Sequence, residues 1–203
     1  LGVAIGVMAL IIVIAVMSGF DKDLRDRIVG NYAHITIQAA RPIDYNEYEA
    51  VIKKISGNPH IKAISPFIQG QVLIQSDNKF SALAFRGIEP DREKRVTRIG
   101  SYIIKGSLEN LTPDKVVIGK ELALYLGLQV DSELQIFSPA GEKIKLKVAG
   151  IFHSGMYDYD ANLIIVHLKT AQKILGINNQ ISAIAESDFS PPQLRRFQVF
   201  FNL

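Results

Sequence analysis

The chain has 203 residues, of which 48% are apolar and 21% charged, with no Cys and no Trp. That composition supports a real hydrophobic core and excludes a disordered tail, a collagen-like fibre, a disulfide-stapled miniprotein and any thiolate chemistry. A net charge of +3 makes no case for nucleic acid, and every charged residue lies after position 20.

Residues 1–20 are apolar apart from Gly2, Gly6, Ser18 and Gly19. At a helical rise of about 1.5 Å per residue they cover roughly 30 Å, the thickness of a bilayer core. Three readings compete for this run: a membrane-spanning helix, a signal peptide and a buried globular helix. A signal peptide needs a basic n-region and a small-x-small cleavage site, and Val16-Met17-Ser18 is a poor one. Phe20, Leu24 and Ile28 then recur at i, i+4 and i+8 among three acids and three bases, so the helix is expected to continue as an amphipathic stalk to Gly30-Asn31. A flank without excess Lys or Arg suits the translocated side of a membrane.

Past the stalk the texture changes to short strands and helices. Residues 34–38, including His34, alternate like a strand. Asp44 can cap a helix through about Ser56, with Tyr48, Val51, Ile52 and Ile55 on one face and Gly57-Asn58-Pro59 as the stop. Residues 61–75 and 79–88 read as strands joined by a turn at Ser76-Asp77-Asn78, and residues 90–98 as a short charged helix. A second module is expected from Pro113, with strands at 116–118, 134–137, 143–152, 162–166 and 181–185. Helices are expected at 121–126, ended by Gly127, and at 168–175. Ser138 to Glu142 form a compact hairpin turn. Lys143, Lys145 and Lys147 alternate with Ile144, Leu146 and Val148, giving one wet cationic face. This order of elements is an α+β pattern.

Catalytic motifs are missing. Gly119-Lys120 is followed by Glu121 where a phosphate loop needs a hydroxyl, and neither G-x-S-x-G nor H-E-x-x-H occurs. The densest polar group is His153, Ser154, Tyr157, Asp158, Tyr159 and Asp160, read as a structural or functional turn in preference to a metal site. His34, His60 and His167 stand alone. No cofactor is expected, and the scattered basic residues lack the aromatic interleaving of a nucleic-acid surface.

Ser18-Gly19-Phe20, His34-Ile35-Thr36-Ile37, Arg86-Gly87-Ile88-Glu89-Pro90, Gly119-Lys120-Glu121-Leu122-Ala123, Gly150-Ile151-Phe152 and Gly155-Met156-Tyr157-Asp158-Tyr159-Asp160 occur in that order. Together they resemble the successive signatures of LolC/LolE-type permeases, the lipoprotein-releasing ABC transporter subunits. The resemblance covers residues 1–184 and departs at Asp131-Ser132, where the family often has Gly-Asp, and from Phe189 onward.

The resemblance implies a bacterial inner-membrane protein with residues after about 30 in the periplasm, and a MacB-like periplasmic domain of an α+β Porter part and a β-rich Sabre part. On that division residues 1–29 are transmembrane helix and stalk, 30–112 an incomplete Porter part, 113–180 the Sabre part, and 181–203 a returning Porter strand with an atypical tail. The chain is then a piece of a longer permease, and its strand at 34–38 is expected to have an open edge. Implied partners are a second permease subunit, a cytoplasmic ABC ATPase that does the ATP hydrolysis, lipoprotein cargo and a periplasmic carrier. Acyl chains leave a bilayer only if apolar surface replaces the lipid, at about 0.8 kcal/mol per CH₂. Val3, Val7, Leu10, Ile14 and Met17 are the candidate lining of such a cargo groove. Within the family the carrier is caught by a long hairpin, the Hook, on the LolC-type subunit. The five-residue turn at Ser138 is too short for one, which points to the LolE-like branch. Alternatives are a MacB- or FtsX-like permease that transmits ATPase motion, and a membrane-anchored periplasmic binding module.

Overall fold

The computed structural model describes residues 2–31, 35–55, 61–76, 79–188 and 197–201. His34, Gly57-Asn58-Pro59, His60, Asp77-Asn78 and the segment from Phe189 to position 196 lie outside them. Helix α1 (Gly2–Asn31) is continuous from the uncharged run into the stalk and stops where Gly30-Asn31 predicts. Strand β1 (Ile35–Asp44) leads into α2 (Tyr45–Ile55), whose first turn is capped by the Asn46 N–H donating to Asp44 Oδ1 at 2.8 Å. Next come β2 (Ile61–Ser76), β3 (Lys79–Ile88), α3 (Pro90–Val96), β4 (Ile103–Gly106), β5 (Lys115–Gly119) and α4 (Lys120–Leu126). The chain continues through β6 (Glu133–Phe137), β7 (Lys143–Phe152), α5 (Tyr157–Asn162), β8 (Leu163–His167), α6 (Leu168–Leu175), β9 (Gln180–Asp188) and β10 (Phe197–Phe201). Both α4 and α6 end on a left-handed glycine, Gly127 (φ +64°) and Gly176 (φ +65°), whose N–H groups close the last turn.

The described strands form one mixed sheet in the order β10-β1-β9-β2-β3-β8-β5-β7-β4, with β6 bridging β2 and β7. The sheet runs without a break across position 113: β3 pairs with β8 in parallel and β2 pairs with β6. The first strand does not have the expected open edge. β1 lies between β9, antiparallel, and β10, parallel, so both of its sides are hydrogen-bonded. The partner β10 comes from the tail that departs from the family pattern, and it was not predicted.

One face of the sheet packs Val72, Phe85, Ile118, Leu146 and Ile164 against α4 and α6 through Leu122, Leu168, Ala171 and Ile174. The opposite face packs Phe67, Ile88, Val117, Phe152 and Ile165 against Val96 of α3 and the turns carrying Ile99, Leu108 and Leu111. Alternation on β7 follows the sequence: Lys143, Lys145 and Lys147 are exposed while Ile144, Leu146 and Val148 are buried. Each buried Ile or Leu contributes about 1.5–3 kcal/mol relative to exposure, so this register is firmly fixed.

Candidate functional site

Two places carry the sequence-predicted residues. The first is the apolar part of α1, Gly2–Phe20, the one helix among the described residues long and apolar enough to cross a membrane. Val3, Val7, Leu10, Ile14 and Met17 follow a 4-3-4-3 spacing, which puts them along one side of the helix. All five are exposed, but so are Ile5, Met8, Ile11, Ile12, Val13 and Val16. The helix is therefore apolar all round, the pattern of a segment embedded in an apolar medium, and its own geometry singles out no lining face.

The second place is where β7 runs out. Beyond Phe152, residues His153 to Met156 form a loop whose bend is made by Gly155 at φ +81°, and the Tyr157 to Asp160 run is the start of a short helix, α5, where the sequence suggested a turn. Asp160 organises this corner from a position only 1% exposed. Its Oδ1 accepts from the Ser154 N–H at 2.8 Å and the Ser154 hydroxyl at 2.6 Å, and its Oδ2 lies 2.7 Å from His153 Nδ1. The Met156 N–H donates to Ser154 Oγ at 3.2 Å, so the loop is wired to the helix it precedes. Tyr159 sits edge-on to Phe152 with ring centroids 5.8 Å apart.

His, Asp and Ser are thus together, but in the wrong order for nucleophilic catalysis. The Ser154 proton goes to Asp160, whereas a nucleophile must give its proton to the histidine. Among the described residues no group of three or more His, Asp or Glu side chains could hold a metal ion. The arrangement fixes backbone; it does not activate an atom.

What the corner presents outward is Tyr157, 70% exposed, beside Met156 and Asp158. With Gln69, Ala84 and Arg86 of the sheet they line an open groove of about 580 Å³. Arg86 at its edge is held from two sides: the guanidinium lies 4.1 Å from the centre of the Phe67 ring and 3.0 Å from Glu93 Oε1. Further along the same sheet face, Leu73 and Phe80 are exposed, and Phe80 meets Phe137 edge-on at 5.7 Å. The lysine row borders them. Lys145 pairs with Glu133 at 2.8 Å, which holds the Glu133 carboxyl below its usual range, and Lys143 lies over the Phe137 ring.

The sequence signatures resolve into packing devices. A Cβ on Gly87 would lie 2.2 Å from the Ala171 Cβ, so this glycine lets α6 approach β3. A Cβ on Gly119 would meet the Asp160 carbonyl oxygen at 1.9 Å, which ties two of the signatures to each other. Glu89 receives the Tyr45 hydroxyl at 3.2 Å and pairs with Arg92 at 3.0 Å, and Pro90 opens α3. Burial of Tyr48, whose hydroxyl accepts from Arg92, pushes that phenol well above its ordinary pKa. Sequence reasoning missed the groove floor and the Arg86–Glu93 pair; the arginine seven residues before a glutamate at a strand–helix junction was the available signal.

The fold, the apolar helix and the six signatures now stand beside known proteins. The family model described as "MacB-like periplasmic core domain" matches residues 1–196. The chain belongs to that family. It is 33% identical over 189 residues to the lipoprotein-releasing system transmembrane protein LolC of Xylella fastidiosa, covering 88% of this chain and 45% of that protein. It is 29% identical over 140 residues to LolE of Haemophilus influenzae, covering 67% of this chain and 32% of the relative. The chain therefore spans less than half the length of these curated relatives, and the LolC relative is matched at higher identity and over more of this chain than the LolE one. In structure it is similar to the extracellular domain of the noncanonic ABC-type transporter YknZ from Gram-positive bacteria, with a TM-score of 0.53, 13% identity, and coverage of 76% of this chain and 82% of that one. At that identity the likeness shows the shared α+β fold of a MacB-like domain.

Proposed function

We propose that this chain is the first membrane helix and the periplasmic region of a permease subunit that releases lipoproteins from the inner membrane. The observation that carries this reading is the 33% identity to a lipoprotein-releasing LolC across 88% of the chain, joined to the apolar helix over Gly2–Phe20. The fold is shared with transporters of other names, so sequence similarity and not topology selects the cargo class. On this reading the subunit pairs with a second permease subunit and works with a cytoplasmic ABC ATPase, which supplies the hydrolysis. Val3, Val7, Leu10, Ile14 and Met17 line the cargo path, and Tyr157 to Asp160 form a rigid corner of the periplasmic region that Asp160 holds from inside and that turns Tyr157 outward. The Porter and Sabre parts, 30–112 and 113–180, are two regions of one continuous sheet.

The test is ATP-dependent release of a triacylated lipoprotein from proteoliposomes holding the permease that contains this chain and its ATPase. Cargo retained in the vesicles with ATP and a soluble carrier present would refute it. Topology has its own test: Ser76→Cys should react with a membrane-impermeant maleimide in intact spheroplasts, and labelling only after lysis would reverse the orientation.

We further propose, separately from that identity, that the chain belongs with subunits that lack a carrier-catching hairpin. Its support is the β6–β7 connection, closed by the Ser138 N–H donating to the Glu142 carbonyl and the Gly141 N–H to the Ser138 carbonyl, both at 2.9 Å. Five residues folded back this tightly project less than about 10 Å. The full chain in detergent should not retain a purified periplasmic carrier that a Hook-bearing homologue retains, and retention of equal strength would overturn the assignment.

A further inference from the structure

The Arg86–Glu93 pair has two atoms to spare. Glu93 on α3 is 2% exposed and the Arg86 side chain on β3 is 13% exposed. Arg86 Nη2 donates to Glu93 Oε1 at 3.0 Å, and the Thr97 hydroxyl approaches the same oxygen at 3.3 Å. Among the described residues, Arg86 Nε and Glu93 Oε2 are buried without a hydrogen-bond partner. One is a donor and the other an acceptor, and they belong to the same ion pair. A guanidinium and a carboxylate that met side by side would satisfy both atoms with two parallel bonds. Here a single oxygen carries the contact, so the fork stays open.

Both residues of the pair line a small cavity. Arg86, Glu93, Thr97, Ile99, Tyr159 and Ile165 are among the residues that line a space of about 10 Å³, counted as room for the centre of a water-sized sphere. A buried water needs roughly 10–15 Å³ on that measure and two to four polar partners. A cation is disfavoured by the guanidinium in the wall, and an anion by the carboxylate. A neutral molecule of one heavy atom that both donates and accepts fits both charges.

We propose that this cavity is a site for a single ordered water, which accepts from Arg86 Nε and donates to Glu93 Oε2. The water closes the fork that the direct contact leaves open, and it removes two buried unsatisfied groups whose cost would otherwise fall on the α3–β3 junction. It also fixes the role of Arg86 at the groove edge. Stacked on Phe67, paired with Glu93 and bonded through Nε, its guanidinium is committed to structure and does not serve the groove as an anion hook. This inference is independent of the transport reading.

The test uses the full chain in detergent. In a crystal structure at a resolution that shows ordered solvent, a density peak should lie within hydrogen-bond distance of both Arg86 Nε and Glu93 Oε2. In solution, with arginine labelled by ¹⁵N, the Arg86 Nε–H proton should show slow solvent exchange and a cross-relaxation signal with a long-lived water. Titration with inorganic phosphate should leave that resonance in place. A side-by-side pair with Arg86 Nε bonded directly to Glu93 Oε2 and the cavity closed would overturn the proposal. So would a phosphate-dependent shift of the Arg86 Nε–H signal.

Discussion

Gly87→Ala is the sharpest probe of how β3 and α6 fit together. The added methyl would sit 2.2 Å from the Ala171 Cβ, against about 3.5–4.0 Å for an ordinary carbon contact, so α6 must retreat by roughly 1.5 Å. The helix cannot do so freely, since Leu168, Ala171 and Ile174 all lie in the core. Overpacking of this kind costs about 1–3 kcal/mol. Ala171→Gly alone should cost about 2 kcal/mol, from roughly 1 for glycine in a helix and 0.8 for the buried methyl. Additive behaviour would put the double variant about 3–5 kcal/mol below the parent. The geometry says otherwise: with Ala171 shortened, the new methyl takes the place of the old one, and its next neighbour is 3.6 Å away. The double variant should therefore lose only about 1 kcal/mol, a coupling of about 2 kcal/mol or more. Urea unfolding of the full chain in mild detergent, followed by tyrosine near-UV circular dichroism, measures all four corners of the cycle. Additivity within about 0.5 kcal/mol would show that the close approach is not what selects glycine here.

Three further outcomes follow from single residues. Asp131 holds φ +67° in the turn before β6, so Asp131→Gly should raise stability by about 1 kcal/mol in the same urea assay, and no gain would mean the strain is absent. Asp160→Ala removes the acceptor of the Ser154 N–H and should cost about 2–3 kcal/mol, while Asp160→Asn, which keeps one acceptor oxygen, should recover at least half of that. His167 caps α6 by accepting the Lys169 N–H on Nδ1 at 3.2 Å, and partial burial, then Lys169, hold its pKa below the usual 6.5. The unfolded chain thus binds the extra proton first, so this contribution is complete above about pH 6.5 and is lost on acidification below it. His167→Asn keeps a cap and should flatten the pH dependence of the urea midpoint in that window, and an unchanged slope would assign it to other groups.

Much of the molecule was legible in its residues because local signals agreed. The Gly30-Asn31 stop, the Asp44 cap and the glycine at 127 each act within a few residues, and every one marks a boundary the structure keeps. Period-two burial on β7 was equally visible, since Lys143 to Val148 alternate in chemistry as they do in space. Asp131-Ser132 shows the limit of this kind of reading. The sequence marked it as a departure from Gly-Asp, but only the backbone reveals that the glycine position is left-handed.

What sequence could not decide was which distant segments would meet. The short edge strand β4, only four residues long, gives too brief a pattern to read. Strand β10 follows an atypical stretch, and its place beside β1 depends on pairing residues more than 150 positions apart. The two modules read from the sequence share one sheet because β3 finds β8 and β2 finds β6. Gly119 and Asp160 belong to separate motifs, and only the fold sets one's Cα against the other's carbonyl. Residue chemistry fixes the period, the caps and the apolar span through contacts a few residues apart. The corner at Asp160, the groove beside Tyr157 and the Arg86 clamp arise from long-range packing, where side-chain volume and buried hydrogen bonds choose among pairings that local propensity leaves open.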